Sequence, residues 1–240
     1  MKTVVLMLAV VLCTLSLHSQ SRIPMLGEPA PSFSANSTNG TFEFPKDFGN
    51  SWKILLSHPK DFTPVCTSEI LKLAQMQNEF EELDVKLAII STDELDSHFQ
   101  WKQLMEDILI ESGHPSKIEF PLIEDNNAQI SNKYGMLHAW ENTTRDVRGV
   151  FIINPQNEIK SINFYPTNIG RNMEEIKRII VAFQTSEKEQ VLIPANWKDG
   201  DDVLMKYVPY SEQELAANPD LADQYYKVGI NMWYKKESAK

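Results

Sequence analysis

Lys53-Ile-Leu-Leu-Ser57-His58-Pro59-Lys60-Asp-Phe-Thr63-Pro64-Val-Cys66-Thr67 is the stretch on which the fold turns. Lys53 to Ser57 is a short apolar run of the kind that forms a buried strand. From Pro64 to Leu83, the residues Ile70, Leu73, Ala74 and Phe80 gather near one face, the pattern of an amphipathic helix. Thr63 suits the N-cap and Pro64 the first helical position. Cys66 then falls in the first turn, where unpaired amides and the positive end of the helix dipole point. A thiol so placed is expected to lose pKa and gain nucleophilicity.

Outward from that stretch, strands and helices alternate. Val85 to Ile90 reads as a second buried strand, and Glu94 to Glu111 as a helix ended by Gly113 and Pro115. Asn127 to Tyr134 is a shorter helix. Gly149 to Ile153 and Ile159 to Tyr165 are strands joined by the turn Asn154-Pro-Gln-Asn157. Arg171 to Gln184 is a closing helix. This order predicts an α/β fold of the thioredoxin-like kind, a central mixed sheet with a parallel core, an antiparallel hairpin and helices on both faces. A thioredoxin would carry Cys-x-x-Cys. Here Glu69 stands in the second cysteine's place, so disulfide exchange within the motif is impossible.

After Gln184 the texture changes. Ile193 to Asp202 is polar and turn-rich. The tail holds Trp197, Tyr207, Tyr210, Tyr225, Tyr226, Trp233 and Tyr234, which pack either on their own domain or on a second subunit. The expected division is a segment 1–19, a main domain 26–184 and a C-terminal domain 185–240.

The start of the chain reads as a secretory signal. Lys2 precedes an apolar run from Val4 to Leu17, with a cleavage site expected near Ser19. The run is short for a membrane span, and no later stretch is apolar enough for one. An uncleaved anchor or a buried N-terminal helix is the alternative. Cleavage would remove Cys13 and leave Cys66 as the one thiol, so no internal disulfide could form. Secretion would make the sequons at Asn36, Asn39 and Asn142 usable for glycosylation. The full chain has 23 basic and 33 acidic residues, a formal net charge of −10. With no basic run, nucleic acid is not an expected partner. His98, His114 and His138 stand in no metal-ligand spacing, and no metal is expected.

Pro59-x-x-x-Thr63-x-x-Cys66 matches the active-site motif of peroxiredoxins, and Ser57 to Thr67 as a whole resembles the one-cysteine, peroxiredoxin-6-like group. Gly135-Met-Leu137, Tyr165-Pro166, Thr167-Asn-Ile-Gly-Arg171-Asn172 and Pro194 to Asp201 resemble further segments of that group, in order. The resemblance implies a thiol peroxidase acting on hydrogen peroxide and on organic hydroperoxides, lipid hydroperoxides among them, with no cofactor. An unperturbed thiol is only about 3% thiolate at pH 7. The thiolate attacks one peroxide oxygen, the other leaves with the charge, and Cys66 becomes a sulfenic acid. The leaving oxygen needs donors aimed at it in advance. Thr63, the Cys66 amide and an arginine are the candidates.

By resemblance that arginine is Arg148, with Arg145 the competitor through the local run Thr143-Thr-Arg145. Glu69 and Arg171 resemble a supporting pair that orients rather than reacts. His58 either holds peroxide and assists proton transfer or is a structural histidine at a strand end. Pro59 and Pro64 shape the loop. With no second thiol, an outside thiol must reduce the sulfenate or a partner subunit must supply its own Cys66; the resemblance implies glutathione or a similar small thiol. The resemblance also implies a homodimer in which the C-terminal segment reaches over its partner. Two other readings compete. A phospholipase A2-like activity would use Ser51 in Gly49-Asn-Ser51-Trp-Lys53, but the matching histidine and aspartate positions carry Lys46 and Gln156, so Ser51 has no evident base. A non-catalytic chaperone or binding protein would have no need of Thr63, Cys66 and Arg148 together.

Overall fold

A hairpin opens the main sheet. In the computed structural model, which describes residues 23–141 and 144–237, β1 (Phe33–Ser37) and β2 (Gly40–Phe44) pair antiparallel across Thr38-Asn39. Asn39-Gly40 is a hairpin signal in a region that the sequence reading left without strands. The candidate signal segment 1–19, with Cys13, lies outside the described residues, as does Asn142. No helix among the described residues is long and apolar enough to cross a membrane.

The expected alternation follows: β3 (Trp52–Ser57), α1 (Pro64–Glu82), β4 (Val85–Ser91), α2 (Leu95–Glu111), β5 (Leu122–Glu124), α3 (Gln129–Tyr134), β6 (Arg148–Ile153), β7 (Ile159–Tyr165) and α4 (Met173–Glu189). β5 was not foreseen; three residues are too few to show a period. The sheet order is β2-β1-β5-β4-β3-β6-β7. β3, β4 and β5 run parallel, while β6 runs antiparallel to both β3 and β7.

Period-2 alternation divides the core. Ile54, Leu56, Leu87, Ile89, Val150 and Ile152 face α1, α2 and α4, together with Leu73, Phe80, Trp101, Met105 and Ile180. Leu55, Ala88, Ile90, Phe151 and Ile153 face the other way, onto Phe42, Phe44, Ile130 and Tyr134. Both faces are thus covered, which is why the central strands read as unbroken apolar runs. Each fully buried aliphatic side chain contributes about 1.5–3 kcal/mol.

Asn172 caps α4, its Oδ1 accepting from the Glu175 amide at 3.1 Å. The chain then forms a second sheet, ordered β10-β11-β9-β8, from β8 (Val191–Leu192), β9 (Val203–Met205), β10 (Tyr225–Val228) and β11 (Met232–Lys235). Two short helices, α5 (Glu212–Ala217) and α6 (Pro219–Gln224), sit between β9 and β10. Trp197 is buried with Ala182, Val191 and Val203, tying this sheet to α4. Tyr226 and Tyr234 stack 5.0 Å apart. Part of the aromatic tail therefore packs on its own chain, whereas Tyr207 is 83% exposed.

Candidate active site

The sheet and α1 converge on Cys66. Thr63 occupies the N-cap position with extended backbone (φ −102°, ψ 146°), Pro64 follows, and Cys66 lies in the first turn, wholly buried. The first helical bond is Thr67 N–H to Thr63 O at 2.9 Å, so the Val65 and Cys66 amides precede the helix ladder. Thr63 makes no side-chain cap bond to them. Its hydroxyl donates instead to the Lys60 carbonyl at 2.8 Å. This differs from the expected cap and fastens the preceding loop. Phe62 holds that loop in the left-handed region at φ 58°, a costly conformation for an aromatic residue.

Arg148, the first residue of β6, brings Nη1 to 3.3 Å from Cys66 Sγ. The same nitrogen donates to Glu69 Oε2 at 2.8 Å, and Nη2 donates to Thr167 O at 2.7 Å. Arg148 Nε is buried without an acceptor. Glu69, one turn beyond Cys66 on α1, also receives Arg171 through Nε, Nη2 and the backbone amide, at 2.9, 2.7 and 2.7 Å. Arg171 Nη1 spans the Ser57 and Gly149 carbonyls at 2.9 and 2.7 Å. Burial works to raise the Glu69 carboxyl, but Arg171 and then Arg148 outweigh it and hold it below the ordinary carboxylate range. Gly149 permits the close approach of β6 to β3. A Cβ there would stand 2.9 Å from Ser57 Oγ, which accepts from the Gly149 amide at 2.8 Å and donates to Val147 O at 2.6 Å.

The other predicted residues fall at different distances from the sulfur. Arg145 is exposed and no hydrogen bond joins it to Cys66 among the described residues, whereas Arg148 makes that contact. His58 is fully buried, its Nε2 2.8 Å from Asp61 Oδ1 and its ring 4.9 Å from Trp101. Its Nδ1 has no partner. Asp61 Oδ2 lies 2.8 Å from His98 Nδ1, and His98 Nε2 lies 3.1 Å from Ile123 O. His98 stands without context in the sequence, but Asp61 couples it to His58. Burial would raise the Asp61 carboxyl, but the hydrogen bonds and charges of His58 and His98 pull it well below its ordinary value. One ligand atom from each of the three falls within 4.8 Å of the others. Both Asp61 oxygens are already engaged, Oδ2 also by Ser97 at 2.8 Å, so the group is closed by its own hydrogen bonds. Pro59 and Pro64 line a cavity at the start of α1.

Asp146, two residues before Arg148, is also buried and was missed. Neither carboxylate oxygen has a hydrogen-bond partner, since Ser131 Oγ donates to Asp125 Oδ2 at 2.6 Å. Burial pushes the Asp146 carboxyl well above its ordinary range, and the Asp125 and Asp93 charges add to the rise.

A cavity of about 220 Å³ lies at this end of the sheet, lined by Lys60, Thr63, Pro64, Val65, Arg145 and Arg148 among others. Cavities of about 370 and 260 Å³ lie elsewhere, and neither holds a residue of this cluster. Ser51 is remote from all of this. Its hydroxyl donates to Asp84 at 2.6 Å, and no histidine joins them among the described residues. The sequon residues Asn36 and Asn39 are exposed, with Asn39 Nδ2 donating to Glu119 O at 2.7 Å.

Comparison with known proteins points the same way. Residues 26–162 match the AhpC/TSA family, and residues 182–214 match the C-terminal domain of 1-Cys peroxiredoxin. A peroxiredoxin of Methanosarcina mazei is 45% identical over 76% of this chain and 84% of its own. A 1-Cys peroxiredoxin of Dictyostelium discoideum is 38% identical over 78% of this chain and 76% of its own. The structure of yeast mitochondrial 1-Cys peroxiredoxin, described for thiol resolution via glutathione/thioredoxin systems, superposes with TM-score 0.77 and 33% identity over 89% of this chain and 100% of its own. A cysteine-to-serine mutant of peroxiredoxin 6 from Arenicola marina gives TM-score 0.77 and 33% identity over 89% and 98%.

Proposed function

The chain belongs to the AhpC/TSA family, in its one-cysteine peroxiredoxin branch, and is a thiol peroxidase; from that premise we propose that Cys66 is the peroxidatic residue and Arg148 its charged partner. The observation that carries this is the buried charge cluster. Two guanidinium groups, Arg148 and Arg171, share the single carboxylate of Glu69, and the unmatched positive charge stands 3.3 Å from Sγ. A thiolate at Cys66 brings the cluster to neutrality, and an unbalanced buried charge is costly.

Attack then proceeds with donors already in place. The thiolate forms an S–O bond, the O–O bond breaks, and the leaving oxygen carries the charge away. The unpartnered Arg148 Nε–H and the Val65 and Cys66 amides are donors at the turn where that charge develops. Thr63, tied to Lys60, and Pro59 and Pro64 hold the loop, while Glu69 and Arg171 fix the Arg148 guanidinium. His58, buried on Asp61, is a positioning residue in this account.

Among the described residues the sulfenate has no second thiol, so a small external thiol of the glutathione kind restores Cys66; without one, oxidation runs on to sulfinic acid. The N-terminal segment directs secretion, and the exposed C-terminal apolar residues support a homodimer. Intact-mass analysis of protein recovered from the culture medium tests recycling and export together. The mature chain should begin near Gln20. Peroxide should add one oxygen at Cys66, and glutathione should remove it. A chain retaining residues 1–19 would contradict export, and a sulfenate indifferent to thiols would contradict recycling.

A further inference from the structure

The cavity lined by Val65, the residue before Cys66, and by Arg148, which touches its sulfur, holds charges that the peroxidase chemistry leaves unused. Arg148 is committed to Glu69, the sulfur and Thr167. Lys60 and Arg145 also line the cavity, and both are exposed. Neither forms an ion pair among the described residues, although many cations of this acidic chain do. Lys46, Lys72, Lys177 and Lys227 each sit on a glutamate. Glu141 is the one acid lining the cavity, and it pairs with neither.

Two features make this more than a chance surface pair. Lys60 is fastened to the helix start, because its carbonyl accepts the Thr63 hydroxyl at 2.8 Å. The cavity, at about 220 Å³, also exceeds what a two-oxygen peroxide occupies, which is the space of about two waters or ~60 Å³. Its remaining wall includes the apolar Pro59, Pro64 and Val65. The space suits an organic hydroperoxide, and the unmatched charge at its mouth suits an anion. A net charge of −10 repels anions at long range, so local unpaired cations are what an anionic substrate would meet favourably.

We propose that Lys60 and Arg145 are specificity-determining residues that favour organic hydroperoxides carrying a carboxylate. This rests on the peroxidase reading above. The Cys66 thiolate takes the OH oxygen of R–O–OH, the S–O bond forms as O–O breaks, and sulfur is oxidised by two electrons. RO⁻ leaves and takes a proton from water, while the carboxylate of R stays between the two cations.

The test compares ω-hydroperoxyoctanoic acid with its methyl ester, using hydrogen peroxide as each variant's own reference. The wild type should favour the acid by about three- to tenfold in kcat/KM at low ionic strength, the scale of one or two partly exposed ion pairs. Raising salt from about 0.01 M to about 0.5 M shortens the screening length from about 30 Å to under about 8 Å and should erase most of the preference. The pair Lys60→Ala and Arg145→Ala should bring the acid-to-ester ratio to about one, and Arg145→Glu should invert it. A wild type that consumes hydrogen peroxide through Cys66 but treats acid and ester alike overturns this inference alone. A preference that survives in the double variant overturns the residue assignment. A wild type that consumes no peroxide overturns both readings.

Discussion

At the scale of the residue, Arg148 and Arg145 separate cleanly. Arg148 Nη1 lies 3.3 Å from Cys66 Sγ and is held by Glu69 and Thr167, whereas Arg145 is exposed at the cavity mouth. Removing a preorganised charged donor from a reacting centre costs about 10²–10³ in rate. Arg148→Ala should therefore slow reaction with hydrogen peroxide by about that factor in stopped flow, and far more than Arg145→Ala does. The reverse order would move the assignment to Arg145. Cys66, Thr63 and Pro64 were legible in the sequence because helix-start rules act locally. The supporting role of Glu69 and Arg171 came only through resemblance, since Arg171 lies 102 residues away in the chain, and the bond from Arg148 to Glu69 was not foreseen. The buried His58–Asp61–His98 group was not legible at all. Its members come from the loop after β3 and from α2, and no local pattern announces that two elements will meet.

At the scale of the element, β6 must enter the sheet in a register that presents Arg148 to the sulfur. Ser57 on β3 fixes it, bonding both Val147 O and the Gly149 amide. Asp146 enters the core just before, with both oxygens unpartnered. Its folded pKa lies well above the ordinary 3.8. For an acid, a raised folded pKa means the folded state holds the proton more tightly. Its favourable contribution is present below about pH 4 and is lost as pH rises toward the folded value. Asp146→Asn stays neutral throughout, so its melting temperature relative to wild type should rise between about pH 5 and pH 8. The gain should reach several degrees, since an unsatisfied buried group costs about 1–3 kcal/mol. A pH-independent difference would contradict this. The long elements were readable, β3, β4 and β6 as apolar runs bounded by turn signals and α1 from its helical period. The β1–β2 hairpin had its Asn39-Gly40 signal but little strand length, and β5 is three residues held by neighbours on both sides.

At the scale of the whole molecule, one sheet with two buried faces carries the site, and a second small sheet is fastened to α4 through Trp197. The sequence showed that the aromatic tail needed a surface to cover it. Trp197 and Trp233 find that surface within the chain, while Tyr207, Val208 and Ile230 remain 83%, 67% and 93% exposed. Light scattering at micromolar concentration should give the mass of a dimer, and a monomer would contradict the proposed pairing. The proposed source of the peroxidase activity is a buried sulfur next to an incompletely neutralised guanidinium pair. Stopped-flow consumption of hydrogen peroxide by wild type and by Cys66→Ser tests it most directly. The wild type should turn over one equivalent rapidly and the variant none above background, whereas equal rates for the two would mean that Cys66 is not the reacting group.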